Sequence, residues 1–180
     1  MKIYVTRHGE TEYSLKNIVC GSTDCPLTGY GREQAQELAE HIKAQNLGID
    51  VIYSSPLIRA KETADIVAAA LSVPVVVDVR LREQDCGAFE GNVPRNDEEF
   101  NTQRRNFADR LRGGESILQL AQRVYNLLDV FSENRPDKTP LIVGHICVCA
   151  MIHSYFNELS NDEYFAYRPG NCELAFYEFN

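Results

Sequence analysis

The chain reads as an α/β protein: a three-layer α/β/α sandwich with a largely parallel central sheet and helices on both faces. Three observations predict it. Short apolar runs (Ile3-Tyr4-Val5, Val51-Ile52-Tyr53, Val75-Val76-Val77, Leu141-Ile142-Val143) alternate with longer stretches of helical periodicity. Strands alternating with helices form βαβ units, and these build a parallel sheet. Each run is also followed by residues able to bind an anion: Arg7-His8-Gly9-Glu10-Thr11, then Ser54-Ser55-Pro56 with Arg59, then Arg80, Arg82 and Glu83, then Gly144-His145. In a parallel sheet such exits share one edge, where open α/β sheets bind ligands.

Residues 2–6 read as the first strand. Residues 7–27, rich in Gly, Thr, Asn, Asp and Pro, read as a loop. Thr28 is placed to cap a helix whose Ala35, Leu38, Ala39 and Ile42 share one face, with Gly48 as its stop. Residues 50–53 form the second strand. Pro56 opens a helix lined by Ala60, Thr63, Ala64, Val67 and Leu71, since proline is tolerated in a first turn. Pro74 to Val79 is the third strand. Residues 80–115 hold four glycines, an acidic cluster (Asp97, Glu98, Glu99) and a basic one (Arg104, Arg105, Arg110, Arg112). They read as an excursion over the sheet edge with one middle helix, its 86–115 part lid-like over the active site. Ser116 and Gln119 fit a capping box. The helix behind them has Ile117, Leu120, Ala121, Val124, Leu127, Leu128 and Phe131 on one side, and Pro136 follows its end. Residues 140–143 form the fourth strand, with a helix running on to about Phe156. Leu174 to Phe179 reads as a last strand.

Composition narrows the function. At 180 residues, 44% of them hydrophobic and 9% aromatic, the chain fits one domain spanning 1–180 with a real core. No apolar stretch approaches a membrane span, and residues 1–20 lack a secretory apolar region, so a cytoplasmic location and no membrane partner are expected. The net charge of −8, from 18 Lys+Arg against 26 Asp+Glu, argues against nucleic acid as a partner. It leaves room for a small anionic substrate, which responds to the local field. It says nothing of oligomeric state. The six cysteines form no CxxC pair and no disulfide framework. Most read as small buried hydrophobes.

The strand-exit residues suit phosphoryl transfer, which needs charge neutralisation, an in-line nucleophile and help for the leaving oxygen. Arg7 and Arg59 can each grip phosphate oxygens through a planar fork. His8 can attack phosphorus with one ring nitrogen if the other is held. His145 can donate to a phosphate oxygen, and Glu83 can protonate the leaving alkoxide and later deprotonate water. Each alone would be an ordinary polar residue; their recurrence at successive strand exits sets them apart. No cofactor is called for. No metal is either, since no carboxylates cluster as a magnesium site requires.

These residues resemble the histidine phosphatase superfamily, in its phosphoglycerate-mutase-like branch, over residues 3 to about 178. The resemblance rests on R-H-G-E-T at 7–11, D-x-P-L-T-x-x-G at 24–31, Q-A at 34–35 and S-S-P-x-x-R-A-x-x-T-A at 54–64. It extends to L-R-E-x-x-x-G-x-x-E-G at 81–91, G-G-E-S at 113–116 and V-G-H at 143–145. It implies His8 as the phosphohistidine nucleophile, Arg7, Arg59 and His145 as the phosphate pocket, and Glu83 as the proton donor. Further substrate contacts are expected from Gly9, Thr11, Ser14, Cys20, Gly21 and Ile146. Three of these depart from the family pattern: Ser14 replaces an asparagine, Cys20 a glutamine, and Ile146 a glycine. If the Cys20 thiol lines the pocket, its oxidation is expected to lower activity.

The family's mutases are longer, with insertions that enclose the site. The modest 86–115 excursion here leaves water access, which favours hydrolysis of the phosphohistidine. The expected activity is a metal-independent phosphatase of small phosphorylated metabolites. The alternatives are a phosphoglycerate-type mutase and a non-catalytic phospholigand-binding module.

Overall fold

The apolar runs become the strands of one five-stranded sheet, ordered β3-β2-β4-β1-β5. The computed structural model describes residues 1–134 and 137–179. The strands are β1 (Lys2–Arg7), β2 (Val51–Ser54), β3 (Val75–Val77), β4 (Pro140–Gly144) and β5 (Leu174–Glu178). The helices are α1 (Glu12–Leu15), α2 (Gly29–Ala44), α3 (Ile58–Leu71), α4 (Glu98–Arg104), α5 (Ile117–Asn134), α6 (Ile146–Phe156) and α7 (Asn161–Ala166). Strands β1 to β4 pair in parallel and β5 runs antiparallel to β1, with Val5 opposite Ile142 on one side and Ala175 on the other.

Side chains alternate across the pleat, so the central strands feed two cores. Ile3, Val5 and Ile142 meet α5 and α6 through Leu120, Val124, Leu127, Leu128, Val148 and Ile152. Leu141 and Val143 meet α2 and α3 on the other face through Leu38, Ile42, Ala60, Ala64 and Val67. The register is therefore fixed by burial: a slip of one residue would exchange the two faces.

Elements with strong periodicity fall where the sequence puts them, and boundaries move for local reasons. The Ser116 box closes on α5 as expected, with the Gln119 side chain accepting from the Ser116 amide at 3.0 Å and the Ser116 hydroxyl accepting in return at 3.2 Å. Pro136 lies outside the described residues. Thr28 caps α2, but α2 ends at Ala44, and Gly48, with φ of 68°, serves the turn into β2. Helix α3 begins at Ile58 rather than Pro56. Its cap comes from the 7–27 loop, where the Asp24 carboxylate accepts from the Ile58 amide at 2.8 Å. Strand β3 stops at Val77, short of the expected Val79, because Asp78 accepts from the Arg80 amide and turns Val79–Leu81 into a 3₁₀ turn. The sequence reading missed two short helices. Thr11 with Ser14 boxes α1, and Ser160 with Glu163 boxes α7.

The 86–115 excursion holds a second 3₁₀ turn (Gly87–Phe89) and α4. It is stitched to the loop after α1. The Val19 amide donates to the Val93 carbonyl at 3.0 Å, the Gly91 amide to Val19 at 2.9 Å and the Arg95 amide to Asn17 at 2.8 Å. A small third core of Val19, Cys86, Phe89, Phe100 and Leu111 sits beneath it. Cys86, Arg95, Phe100, Asn101 and Arg104 of this roof-like excursion line a cavity with Arg7 and His8 of the β1 exit.

Leu128 is fully buried between α5 and the sheet, whereas Leu118 on the same helix is 59% exposed. Leu128→Ala should cost about 2–5 kcal/mol of unfolding free energy in urea titration, and Leu118→Ala within about 0.5 kcal/mol.

Candidate active site

Residues from the four parallel strand exits meet in one cavity of about 350 Å³, lined by Arg7, His8, Arg59, Glu83 and the loop and roof residues around them. His8 enters directly from β1, and its amide donates to the Gly144 carbonyl at 3.1 Å. Its ring is fixed by two contacts: Nδ1 lies 2.7 Å from the Gly9 carbonyl and Nε2 lies 3.2 Å from Arg59 Nε. A carbonyl can only accept and a guanidinium only donate. His8 is therefore the tautomer with its proton on Nδ1 and a lone pair on Nε2. Burial, with Arg59 and Arg7 adding to it, pushes its pKa well below the ordinary value of 6.5. The imidazole is neutral at pH 7.

His145 lies beside it, ring centroids 5.1 Å apart. Ser55 Oγ accepts from the Leu57 amide at 3.2 Å and lies 2.8 Å from His145 Nε2, and a hydroxyl proton turned onto that nitrogen satisfies both groups. That leaves the His145 proton on Nδ1, a buried donor with no partner. Burial, then Arg59 and His8, push this imidazole's pKa well down too.

Arg59, in the first turn of α3, is 1% exposed. Besides His8 it donates to the Thr23 carbonyl at 2.9 Å and the Gly21 carbonyl at 2.8 Å. Arg7 donates to the Pro169 carbonyl at 3.2 Å, while its buried Nε has no partner. Burial and then Arg95 lower the Arg7 pKa to about 10, which leaves it a cation at pH 7. Glu83 sits across the cavity, accepting from the Gln84 amide at 2.9 Å and the Cys147 amide at 3.2 Å.

The secondary expectations divide. Thr11, Cys20 and Ile146 line the cavity. Gly21 serves through its carbonyl to Arg59, and a Cβ there would run into the Gln84 carbonyl and the Glu90 carboxylate. Gly9 gives its amide to Thr63 Oγ1 at 3.0 Å and packs so close to Gly31 that a Cβ would clash with the Gly31 backbone. Ser14 does not reach the cavity. Its hydroxyl donates to the Thr11 carbonyl at 2.7 Å and accepts from the Thr11 amide at 2.8 Å, because a serine in this position is short enough to close the α1 cap.

Sequence reasoning missed Arg95, Asn101, Arg104 and Arg168, all on the cavity wall. Arg104 belongs to the basic cluster of the excursion, but only the fold turns it inward. It packs over the Phe100 and Phe165 rings at 5.5 and 5.4 Å and leaves its buried Nε unpartnered. Also missed was Glu90, which clamps the 20–25 loop by accepting from the Ser22 and Thr23 amides at 2.7 Å each and from the Cys86 amide at 2.9 Å. Burial opposes its charge, but hydrogen bonds from Thr23, Cys86 and Ser22 win and hold its carboxyl below the ordinary value. Asn171 donates to the His8 carbonyl at 2.7 Å. His41 is exposed on α2, and His153 stacks on Tyr167 at 4.1 Å, away from the cavity.

Paired buried imidazoles between buried guanidiniums, at the strand exits of an α/β sandwich, are the makings of a histidine-based phosphate site. Comparison with known proteins agrees: the model of the histidine phosphatase superfamily (branch 1) matches residues 3–180, and the chain belongs to that superfamily. A probable phosphoglycerate mutase, GpmB, of Salmonella typhi is 37% identical over 151 residues, which cover 81% of this chain and 69% of that protein. Bacillus stearothermophilus YhfR superposes with a TM-score of 0.87 at 28% identity, over 99% of this chain and 91% of its own. A phosphoserine phosphatase of Entamoeba histolytica, solved with 3-phosphoglyceric acid, gives 0.84 at 28% identity over 99% and 90%. The protein is a histidine phosphatase enzyme.

The lowered pKa values fix the pH dependence of stability. The unfolded chain binds protons at its histidines near pH 6.5, whereas folded His8 and His145 refuse them until the pH is far lower. Stability should therefore fall as pH drops below about 6.5, by up to about 1.4 kcal/mol per pH unit for each histidine. Urea titrations at pH 7.5, 6.5 and 5.5 measure this, and His8→Asn should make the slope shallower.

Proposed function

We propose that this enzyme hydrolyses phosphate monoesters of small metabolites that carry a second acidic group, without a metal, through a phosphohistidine on His8. The observation that carries the reading is the His8 ring. Its proton is pinned on Nδ1 by the Gly9 carbonyl, so its Nε2 lone pair faces the guanidinium end of the cavity.

The substrate's phosphate displaces the Arg59 Nε–H from His8 Nε2, so that Arg59 turns its donor onto a phosphate oxygen. Arg7 Nε and His145 Nδ1, both buried and unpartnered, supply further donors. Nε2 then forms the N–P bond in line as the P–O ester bond breaks. Glu83, in its acid form, gives its proton to the leaving alkoxide. The Gly9 carbonyl steadies the positive charge that develops on the ring. In the second step Glu83 takes a proton from water, whose oxygen attacks phosphorus, and the N–P bond breaks to release phosphate. Hydrolysis rather than phosphoryl return follows from water access through the cavity mouth.

Arg95, Arg104 and Arg168 line the same cavity beyond the phosphate end and suit a carboxylate or second phosphate. The Entamoeba relative, solved with 3-phosphoglyceric acid, supports this choice. We take residues 1–180 as one catalytic domain acting in the cytoplasm, with 86–115 as its cover. Among the described residues no helix is long and apolar enough to cross a membrane.

Phosphate release from a panel of monoesters in EDTA tests the reading; silence across the panel overturns it. His8→Ala should abolish turnover yet still bind inorganic phosphate. Glu83→Gln should slow poor leaving groups at least tenfold more than p-nitrophenyl phosphate. Arg104→Met should lower kcat/KM about ten- to a hundredfold for 3-phosphoglycerate and less than threefold for p-nitrophenyl phosphate, the size expected when one charge-assisted contact is lost.

A further inference from the structure

We propose that Cys20 and Cys25 form a reversible disulfide that turns the phosphate site off; the loss of activity, though not the bridge, rests on the catalytic reading above. The two sulfurs lie 3.6 Å apart. Cys20 lines the cavity between Thr11 and Arg59, and Cys25 sits behind it, 4% exposed. Four residues separate them, and two of those, Gly21 and Thr23, give the carbonyls that accept from Arg59. The pair is thus the two ends of the strap that holds the buried guanidinium beside His8.

The local chemistry suits oxidation. The contact between the two sulfurs lowers the Cys25 thiol below its ordinary value; burial opposes this, while Arg59 and Thr11 reinforce the lowering. The same interaction pushes Cys20 up. Cys25 is therefore the readier thiolate, and Cys20, whose Sγ donates to the Thr23 carbonyl at 3.4 Å, keeps its proton, the arrangement of an attacking and a resolving cysteine. With hydrogen peroxide as oxidant, the Cys25 thiolate attacks one peroxide oxygen. The O–O bond breaks, hydroxide leaves and takes a proton to become water, and Cys25 becomes a sulfenic acid. Cys20 then attacks the Cys25 sulfur, the S–O bond breaks, and the Cys20 proton leaves with the hydroxyl as a second water. A dithiol reductant reverses the bridge by exchange.

Closing a 3.6 Å gap to a bond of about 2.05 Å pulls the ends of the strap together. Glu90 anchors its middle through the Ser22 and Thr23 amides, so the distortion falls on the carbonyls that hold Arg59. Two effects compete. Removing the thiolate charge beside Arg59 favours phosphate. Displacing Arg59 opposes it, and a misplacement of about 1 Å at a reacting centre costs on the order of a hundredfold in rate. Displacement wins, and the oxidised form is slow.

The full-length reduced protein, treated with hydrogen peroxide and then with a thiol-alkylating reagent, gives the test. Cleavage after Lys16 and Arg32 yields a peptide, 17–32, whose only cysteines are Cys20 and Cys25. After oxidation that peptide should lack two hydrogens and take up no label. kcat/KM for p-nitrophenyl phosphate should fall more than tenfold, the Kd for inorganic phosphate should rise at least tenfold, and dithiothreitol should restore both. Cys20→Ser and Cys25→Ser should each keep their own starting rates through the same treatment. The proposal is overturned if the peptide still takes two labels while activity is lost, or if it is bridged with phosphate binding unchanged. A reduced protein that never turns over yet forms the bridge and loses phosphate affinity sinks the phosphatase reading and leaves the bridge standing.

Discussion

Arg59 is a full positive charge held out of water at the centre of the site, and the surrounding loops are arranged to make that tolerable. A buried cation is costly unless its donors are satisfied. Here three go to His8 Nε2, the Thr23 carbonyl and the Gly21 carbonyl. Each partner lies on a segment with little structure of its own. The guanidinium therefore ties the β1 exit and the 20–25 loop to the first turn of α3, and Asp24 repeats the tie by capping that helix from the same loop. Glu90 completes the frame as a half-buried anion that collects the loop's amides while the guanidinium collects its carbonyls.

This frame explains why the site can be preorganised for a dianion in a protein of net charge −8. Most acidic residues are exposed or half-buried at the surface and screened within about a Debye length of 10 Å. The cavity holds Arg7 and Arg59 with Arg95, Arg104 and Arg168 on its walls, where screening is weaker and the field is local. Burial, with the same field adding to it, keeps both imidazoles neutral. The enclosure that strengthens the field on phosphate thus also keeps the nucleophile's lone pair available, and a pair of surface histidines would have neither property.

The roof is the adjustable part. Its core is five side chains, against the two large cores that hold the sheet, and it is tied mainly by backbone hydrogen bonds to the loop after α1. Changes there alter which substrate fits while leaving the strand-exit chemistry in place. The departures Cys20 and Ile146 both touch the cavity, and neither displaces Arg7, His8, Arg59 or Glu83 from it.

The sequence by itself determined the layered α/β architecture, because period-2 and period-3.6 patterning is a local property of the chain and burial enforces it. It also determined which strand exits carry His8, Arg59, Glu83 and His145, since a parallel sheet brings such exits together whatever the loops do. Only the tertiary structure decided which way side chains on irregular segments turn. Ser14 closes a helix cap instead of facing the cavity. Arg104 turns inward from a basic cluster whose spacing does not say which of its arginines faces the cavity. Glu90 becomes the clamp of a loop 68 residues away in sequence. Cys20 and Cys25, unremarkable in spacing, come within 3.6 Å of each other at the pocket wall. The Ser14 and cysteine contacts depend on how a short loop is bent, and those of Arg104 and Glu90 on partners brought from elsewhere in the fold; a linear pattern records neither.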